Sequence, residues 1–275
     1  MKQNDIKLNL DLEKKSKLLS MCDENINSIN QPAKVHYLRI KGILMNRCKK
    51  YCNGWLYTVP AVWAGTNIKK FAFRCLLKYH SGIKILKEES KCSECGKKSD
   101  VYGDHAISCG STGQRIAKHD TLVKSLATTL NRAGILCSTE LPADVQGDRM
   151  GDIVLFNWIE CRDMFLDFSV INSLCPSYRS LSAKDPFSAS NKRVSEKWDR
   201  YYKTVEDTKT MFTPVVVESL GGWHEDAVHL FKKFANSIAN MKRSNEKDER
   251  NALMTSMSIR LQKMNGEMLA LRMCH

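Results

Sequence analysis

Residues 152–171, Asp-Ile-Val-Leu-Phe-Asn-Trp-Ile-Glu-Cys-Arg-Asp-Met-Phe-Leu-Asp-Phe-Ser-Val-Ile, contain two apolar runs separated by a short polar stretch. The runs at 152–157 and 164–171 are rich in β-branched and aromatic residues, which predicts two neighbouring strands. Asp152 opens the first strand and Asp167 lies within the second. Neighbouring strands bring two such carboxylates together at one end of a sheet, and burying a carboxylate without a partner is costly. The sequence therefore predicts a partner for this acidic pair.

A hard divalent cation is one such partner. Mg²⁺ or Mn²⁺ binds carboxylate oxygens, and a bound ion of this kind activates water for attack on a phosphodiester. The alternative is structural: Asp152 caps a strand, and Asp167 pairs with a nearby cation. The candidate cations are Arg149, Arg162 and Lys197. The residues by themselves leave both explanations open.

The segments on either side of these strands predict a compact α/β domain. Helices are expected where apolar residues recur every three to four positions, and strands where short apolar runs occur. In chain order the predicted elements are a helix at 113–133, strands at 135–141, 152–157 and 164–171, a helix at 186–208, a strand at 212–219 and a helix at 224–241. This order is αβββαβα. A last helix at 249–272 is expected to pack against the same domain.

Four residues upstream of this domain have the types and spacing of a zinc site. Cys92 and Cys95 form a Cys-x2-Cys pair beside Gly96, and His105 and Cys109 follow four residues apart. Two short-spaced pairs joined by a loop supply the tetrahedral ligand set that Zn²⁺ prefers. Four protein ligands leave no open coordination position, so we expect a structural zinc that ties the preceding segment to the α/β domain. Four ordinary buried residues are the alternative.

The segment before the zinc motif carries almost all of the excess charge. The chain has 275 residues and a net charge of +13, and residues 31–91 hold thirteen Lys and Arg against two Glu. Eight aromatic residues are interleaved with these cations. Cations attract phosphates and aromatic faces stack on bases, so the segment is predicted to bind nucleic acid. A helical region with buried aromatics and solvated lysines is the alternative. The candidate contacts are Lys49, Lys50, Lys69, Lys70 and Arg74.

The sequence thus divides into five predicted segments. They are a polar helical or disordered arm at 1–30, a basic helical segment at 31–91, a zinc knuckle at 92–110, the α/β domain at 111–245 and a C-terminal helix at 246–275.

Composition excludes several other classes of protein. Hydrophobic residues make up 43% and charged residues 27%, which is a globular composition. No apolar run reaches the roughly 18 residues of a membrane span, and residues 1–30 lack the apolar core of a secretory signal. Eleven cysteines spread along the chain argue against a secreted disulfide scaffold and for a reducing, intracellular location.

Together these motifs resemble one family. The chain is similar to the C-terminal restriction-like endonuclease region of non-LTR retrotransposon polyproteins and related reverse-transcriptase-like proteins. The similarity lies in the zinc ligands, Lys118-His119, the two aspartate strands and Gly221-Gly222-Trp223, and it covers residues 50–270. It implies a PD-(D/E)xK nuclease fold with an αβββαβ core. In this chain a helical basic segment and a zinc knuckle would precede that core.

The resemblance also implies roles for individual residues. Asp152 and Asp167 would be the catalytic acids that bind magnesium. Ser169 stands two residues after Asp167, where the general pattern has a lysine. Lys197 in the following helix is the predicted replacement, with Lys192 as second choice. Lys118 and His119 match a basic-His pair that would contact the scissile phosphate or only pack. Arg149 stands where the family has a basic residue before its first acidic motif and is a further candidate for contact with DNA.

The sequence therefore predicts a metal-dependent endonuclease that nicks DNA, with a structural zinc and a catalytic Mg²⁺ or Mn²⁺. The family implies a nuclear location, DNA or alternatively RNA as partner, and a polymerase region in a longer parent polyprotein. The chain has no paired-aspartate polymerase motif. That absence and Ser169 favour a second hypothesis, a catalytically degenerate or domesticated nucleic-acid-binding module. A protein-interaction scaffold built by zinc and helices is the third.

Overall fold

The computed structural model of this protein describes residues 3–28, 31–47, 49–111, 113–139 and 151–273. These ranges contain nine α-helices and two sheets. In chain order the elements are α1 (Gln3–Ser28), α2 (Gln31–Asn46), a 3₁₀ helix (Gly54–Tyr57), α3 (Lys70–His80), β1 (Ser90–Lys91), β2 (Lys98–Ser99), α4 (Asp104–Ser108), α5 (Gln114–Arg132), β3 (Cys137–Ser138), β4 (Ile153–Ile159), β5 (Arg162–Ile171), α6 (Pro176–Ser182), α7 (Ser188–Thr208), β6 (Met211–Glu218), α8 (Glu225–Lys242) and α9 (Glu246–Arg272).

The larger sheet has the strand order β3-β4-β5-β6. β3, β4 and β5 are antiparallel neighbours, whereas β5 and β6 are parallel. Parallel neighbours need a crossover connection, which α6 and α7 provide. The predicted order αβββαβα is confirmed, with α6 as an additional short helix, and so is the α/β class. The assignment to the restriction-like nuclease fold stays a prediction.

The predicted strands agree closely with the observed ones around the two aspartates. The strands predicted at 152–157 and 164–171 correspond to β4 and β5, whose ends differ by at most two residues. The strand predicted at 135–141 corresponds to the short β3. Its last two predicted residues, 140 and 141, lie outside the described part of the chain.

The two faces of the sheet pack against different helices. Alternate residues of a strand point to opposite faces. Leu166 and Phe168 of β5 belong to the main core, together with apolar residues of α5, α8 and α9. Ile171 belongs instead to a small cluster with residues of α7. Asp167 and Ser169 are in phase with Ile171 and therefore face α7.

The register between β4 and β5 places the two aspartates next to each other. The turn at Glu160-Cys161 has φ values of 55° and 56°, as in two-residue type I′ hairpin turns, and an irregularity between Leu155 and Ile159 then shifts the pairing of the two strands. Ile153 pairs with Leu166 across the two strands. Because Asp152 immediately precedes Ile153, the same register sets it opposite Asp167.

The long helix α9 packs against helices of the α/β domain and against helices of the segments that precede it. It contacts α5 and α8, which confirms the predicted packing of the last helix on the α/β domain, and also α3 and α4. The basic segment is less helical than predicted: within 31–91 the described helices are α2, the 3₁₀ helix and α3. The predicted arm at 1–30 contains the helix α1. No described helix combines the length and the apolar content that crossing a bilayer requires.

Candidate metal centres and the acidic cleft

The four predicted zinc ligands converge on one point. The ligand atoms of Cys92, Cys95, His105 and Cys109 all lie within 4.8 Å of one another. Cys92 Sγ is 4.0 Å from Cys109 Sγ, and Cys95 Sγ is 3.3 Å from His105 Nε2. A tetrahedral zinc with ordinary bond lengths separates its sulfur and nitrogen ligands by about 3.5–3.8 Å. The cluster therefore fits a zinc ion, and it is the one such group of His, Cys, Asp and Glu in the described residues.

Two short local structures hold these ligands. Cys92 and Cys95 lie in the turn of the β1–β2 hairpin, where the amide of Gly96 donates to the carbonyl of Cys92 (2.9 Å) and Gly96 has a φ of 67°. His105 lies in the first turn of α4, and the carboxylate of Asp100 accepts hydrogen bonds from the amides there, including that of His105 (2.7 Å). Such a capping carboxylate satisfies amides that the helix leaves unpaired. Cys109 directly follows this helix.

Two of the four ligands, His105 and Cys109, have pKa values shifted in the direction that suits a metal, whereas the pKa of Cys95 is raised. Burial lowers the pKa of His105, so its imidazole is neutral near pH 7. Burial alone would raise the pKa of the Cys109 thiol, but hydrogen bonds from Ser111 and from neighbouring thiols lower it to about 7. Metal ligands must give up their protons to bind, so both shifts favour coordination.

A buried polar network joins the zinc module to the end of β5. Asp104 of α4 forms ion pairs with Arg39 of α2 (3.1 Å) and Arg179 of α6 (3.5 Å). The amide group of Asn172, directly after β5, donates to the Asp104 carbonyl (3.0 Å), and its oxygen accepts from the hydroxyl of Tyr79 in α3 (3.1 Å). The network thus connects the basic segment, the zinc knuckle and the sheet, as the predicted structural role of the knuckle requires.

The two predicted catalytic acids are neighbours. The amide of Asp152 donates to the carbonyl of Leu166 (2.7 Å), and Asp152 Oδ2 accepts from the amide of Phe168 (2.6 Å). The carboxyl groups of Asp152 and Asp167 lie within hydrogen-bonding reach of each other. A Cβ atom on Gly151 would lie 2.7 Å from the Leu166 carbonyl, so a residue without a side chain is needed for this close approach.

Each carboxylate has a cationic partner from a different helix. Lys197 of α7 forms an ion pair with Asp167. His119 of α5 contacts Asp152 through Nε2 (3.1 Å to Oδ2) and Asp120 through Nδ1 (3.1 Å to Oδ1). Of the cations considered as structural partners of Asp167, Lys197 is therefore the one that forms the ion pair. The second-choice Lys192 lies elsewhere, with Nζ 5.7 Å from the ring centre of Tyr178.

The two aspartates differ in their acidity. Burial raises the pKa of Asp167 more than the adjacent Lys197 lowers it. Burial also acts on Asp152, but there the hydrogen bond and charge of His119 dominate and lower its pKa. In return the Asp152 carboxylate raises the pKa of His119 to about 9, so the imidazole is protonated near neutral pH. Two adjacent carboxylates with separate pKa values are typical of sites in which the two groups have different roles.

Asp152, Asp167 and their partners His119 and Lys197 line an open cleft of about 480 Å³. Asp152 and Asp167 form part of its wall, and Lys124 and Arg200 provide further positive charge along it. Carboxylate oxygens are the ligands that Mg²⁺ and Mn²⁺ prefer. The two aspartates therefore present carboxylate oxygens on the wall of the cleft, each already paired with a cationic side chain.

Two predicted DNA contacts are buried, which corrects the prediction for them. Lys49 is 4% exposed and forms an ion pair with Glu218 of β6 (2.5 Å). Lys118 is 2% exposed and donates to the side chain of Asn265 in α9 (3.0 Å), and burial lowers its pKa to about 7. Both ammonium groups are thus almost fully shielded from solvent and bonded to partners within the protein.

The other predicted contacts stay predictions. Lys50, Lys69, Lys70 and Arg74 are exposed. Arg149 lies outside the described residues. His119 does line the cleft, but its described partners are the carboxylates of Asp152 and Asp120.

Sequence reasoning missed Arg193. This residue of α7 donates from Nε to Ser169 Oγ (3.1 Å), two residues along β5 from Asp167. The available signal was its spacing of four residues from Lys197, which places both cations on the same face of a helix.

No protein-family model, curated protein or solved structure matches this chain. The relationship to the retrotransposon endonuclease region therefore stays a prediction from motifs in the sequence.

Proposed function

We propose that this protein is a metal-dependent DNA endonuclease that hydrolyses a phosphodiester of its target. The observation that carries the proposal is the side-by-side arrangement of Asp152 and Asp167 in an open cleft, with Lys197 paired to Asp167. Adjacent carboxylates that bind a divalent ion, together with a lysine, are the groups used in metal-assisted phosphodiester hydrolysis. The motif resemblance to the endonuclease region of non-LTR retrotransposon polyproteins points to the same chemistry.

Each residue has a separate role in this proposal. Asp152 and Asp167 would hold Mg²⁺ or Mn²⁺ through their carboxylate oxygens. Such an ion, when bound, lowers the pKa of a coordinated water and offsets negative charge on the phosphate. Lys197 would orient the attacking water and stabilise charge that develops on the phosphoryl oxygens. His119 would keep the Asp152 carboxylate in place.

The surroundings of the site suit a DNA substrate. Lys124 and Arg200 line the same cleft and would attract the phosphate backbone. A zinc ion at Cys92, Cys95, His105 and Cys109 would have a structural role, because four protein ligands leave no open position. DNA as the substrate implies a nuclear location in this proposal. RNA is the second nucleic acid to test, and a polymerase region of a longer polyprotein is the implied partner.

One observation favours a second candidate, a nucleic-acid-binding module that does not cut. Ser169 replaces the lysine of the general pattern, and Lys197 and His119 already neutralise the two carboxylates. Such a charge-balanced cluster is stable without a metal ion. The binding module would therefore hold DNA with a steep salt dependence and no dependence on divalent cations.

Nicking of supercoiled plasmid decides between the two candidates. We expect the wild-type protein to convert supercoiled DNA to open circles in Mg²⁺ or Mn²⁺ and not in EDTA. Asp167→Asn should abolish nicking, because the variant loses a charged ligand oxygen. Asp199→Asn is the matched control, since Asp199 is an exposed acid of the same helix as Lys197.

Equal nicking by the wild type and Asp167→Asn would reject the endonuclease, because the activity would then come from a contaminant. Tight DNA binding in EDTA without nicking in either metal would select the binding module. Lack of measurable binding to DNA or RNA at low salt would favour the protein-interaction scaffold.

A further inference from the structure

A second groove extends from the acidic cleft along β5. Its volume is about 450 Å³, and it adjoins the acidic cleft, since His119 and Phe168 line both. Its walls include Arg115 of α5, Ser169 of β5 and Arg193 of α7. The described residues that line this groove include no Asp and no Glu. A groove with cations and no carboxylates, directly beside a carboxylate site, suits an anionic ligand.

The position of Arg193 repeats that of Lys197 one helical turn earlier. The two cations are four residues apart on α7 and so share a face, while Asp167 and Ser169 are two residues apart on β5 and both face α7. Lys197 pairs with Asp167, and Arg193 Nε donates to Ser169 Oγ (3.1 Å). Helix and strand thus form two successive cation–side-chain pairs.

The two pairs differ in charge. Asp167 neutralises Lys197, whereas the hydroxyl of Ser169 leaves the charge of Arg193 in place. The guanidinium also pairs with Glu196 (2.9 Å), which is 40% exposed and three residues along the same helix. An exposed pair of this kind contributes little free energy, so a phosphate can replace Glu196 at little cost. The Ser169 hydrogen bond meanwhile orients the guanidinium, whose planar N–H groups match phosphate oxygens.

We propose that Arg193, oriented by Ser169, binds the DNA phosphate next to the scissile one, with Arg115 as a second contact in the groove. The inference rests on the proposed function, since it takes Asp152 and Asp167 as the cutting site. Residues two apart on a strand are about 7 Å apart, a separation comparable to that of neighbouring phosphates in one DNA strand. In this arrangement Ser169 positions a cation that the helix supplies.

Binding to a fluorescein-labelled DNA duplex tests the contact independently of cutting. Fluorescence anisotropy is measured in EDTA, where metal-dependent cleavage cannot occur, over a range of NaCl concentrations. Arg193→Gln should weaken binding about fivefold and lower the slope of log Kd against log salt by about 0.9, because one phosphate contact is lost. Ser169→Ala keeps the charge, so the slope should stay unchanged while binding weakens less.

Arg132→Gln is the matched control, because Arg132 is an exposed cation at the opposite end of α5 from the groove. If Arg193→Gln retains its circular dichroism spectrum and matches Arg132→Gln in affinity and salt slope, the inference is wrong, whether or not the wild type cuts DNA. A reduced slope in a protein that never nicks would support the phosphate contact and reject the proposed function.

Neutral methylphosphonates then locate the contact on a DNA whose cut position has been mapped. Replacing one phosphate next to the cut should weaken binding by the wild type but not by Arg193→Gln. Sensitivity of both proteins to the same replacements would place the contact elsewhere and overturn the assignment.

Discussion

Lys197 of α7 pairs with Asp167 of β5, on the sheet face that also holds Asp152. The helix therefore places a lysine next to the carboxylates, although β5 itself carries Ser169 at the position where the proposed nuclease relationship would predict a lysine. This relationship links the order of the elements to the proposed chemistry, since α7 is the crossover between the parallel strands β5 and β6.

Lys197→Met should reduce plasmid nicking by about a hundredfold or more, because the variant loses the group that would orient the attacking water and stabilise phosphate charge. DNA binding in EDTA should change far less, since Lys197 is one cation among several in the cleft. Nicking rates and duplex affinities are measured side by side.

Lys192→Met provides the matched control for this change. Lys192 is exposed on the same helix and lies over the ring of Tyr178, away from the aspartates. Its removal should leave the nicking rate within about twofold of the wild type. A loss of nicking in Lys192→Met, with normal activity in Lys197→Met, would reverse the assignment of the lysine.

Removal of zinc should loosen the protein rather than act on catalysis directly. Cys109→Ser should lose the one zinc ion per chain and lower the unfolding temperature by about 10 °C, because metal binding contributes directly to folding free energy. Elemental analysis gives the zinc content and calorimetry the unfolding temperature. Cys161→Ser, at an exposed turn, should keep both values. Full zinc content in Cys109→Ser would remove Cys109 from the ligand set.

The sequence was most informative where a local pattern determines the structure. Two apolar runs separated by a short polar stretch predicted β4 and β5, and the pairing of Ile153 with Leu166 brings Asp152 and Asp167 together. The Cys and His spacing predicted the zinc ligands for the same reason, since each pair lies within one short turn.

The sequence was least informative about which individual lysines are buried and which are exposed. Lys49 and Lys118 look like the exposed lysines beside them in sequence, but their burial depends on distant partners in β6 and α9. The net charge of a segment includes buried lysines as well as exposed ones, so it does not show how many cations are available to a ligand. Contacts across more than a hundred residues, such as these, leave no periodic signal in the sequence.

Lys49 and Glu218 should behave as a buried ion pair. Lys49→Met leaves the Glu218 carboxylate buried with a hydrogen bond from Asn46 but no counter-charge, so the free energy of unfolding should fall by about 3–5 kcal/mol. The double variant with Glu218→Gln should recover part of that loss. Urea denaturation measures all three proteins.

Lys50→Met is the control for this pair, because Lys50 is the exposed neighbour of Lys49. Its stability should stay within about 0.5 kcal/mol of the wild type. If Lys49→Met is as stable as the wild type but binds DNA more weakly than the wild type does, the original prediction that Lys49 contacts DNA would be restored.

His80 should make stability depend on pH. Its ring is buried against Trp55, and Nε2 donates to the side-chain oxygen of Gln262 (3.1 Å). Burial lowers the pKa of His80 from 6.5 to about 4, with a smaller contribution from nearby Arg47 and Arg39. The unfolded chain therefore takes up the proton first as the pH falls. The resulting stability is fully present above pH 6.5 and is lost progressively down to about pH 4.

The His80→Gln variant tests this expectation through the difference in unfolding free energy from the wild type. Between pH 7 and pH 4.5, the wild type should lose about 2 to 3 kcal/mol more than the variant. Release of zinc at low pH affects both proteins and cancels in the difference. His229→Gln, which changes an exposed histidine of α8, should follow the wild type. Parallel pH profiles for His80→Gln and the wild type would mean that His80 is not held neutral by its burial.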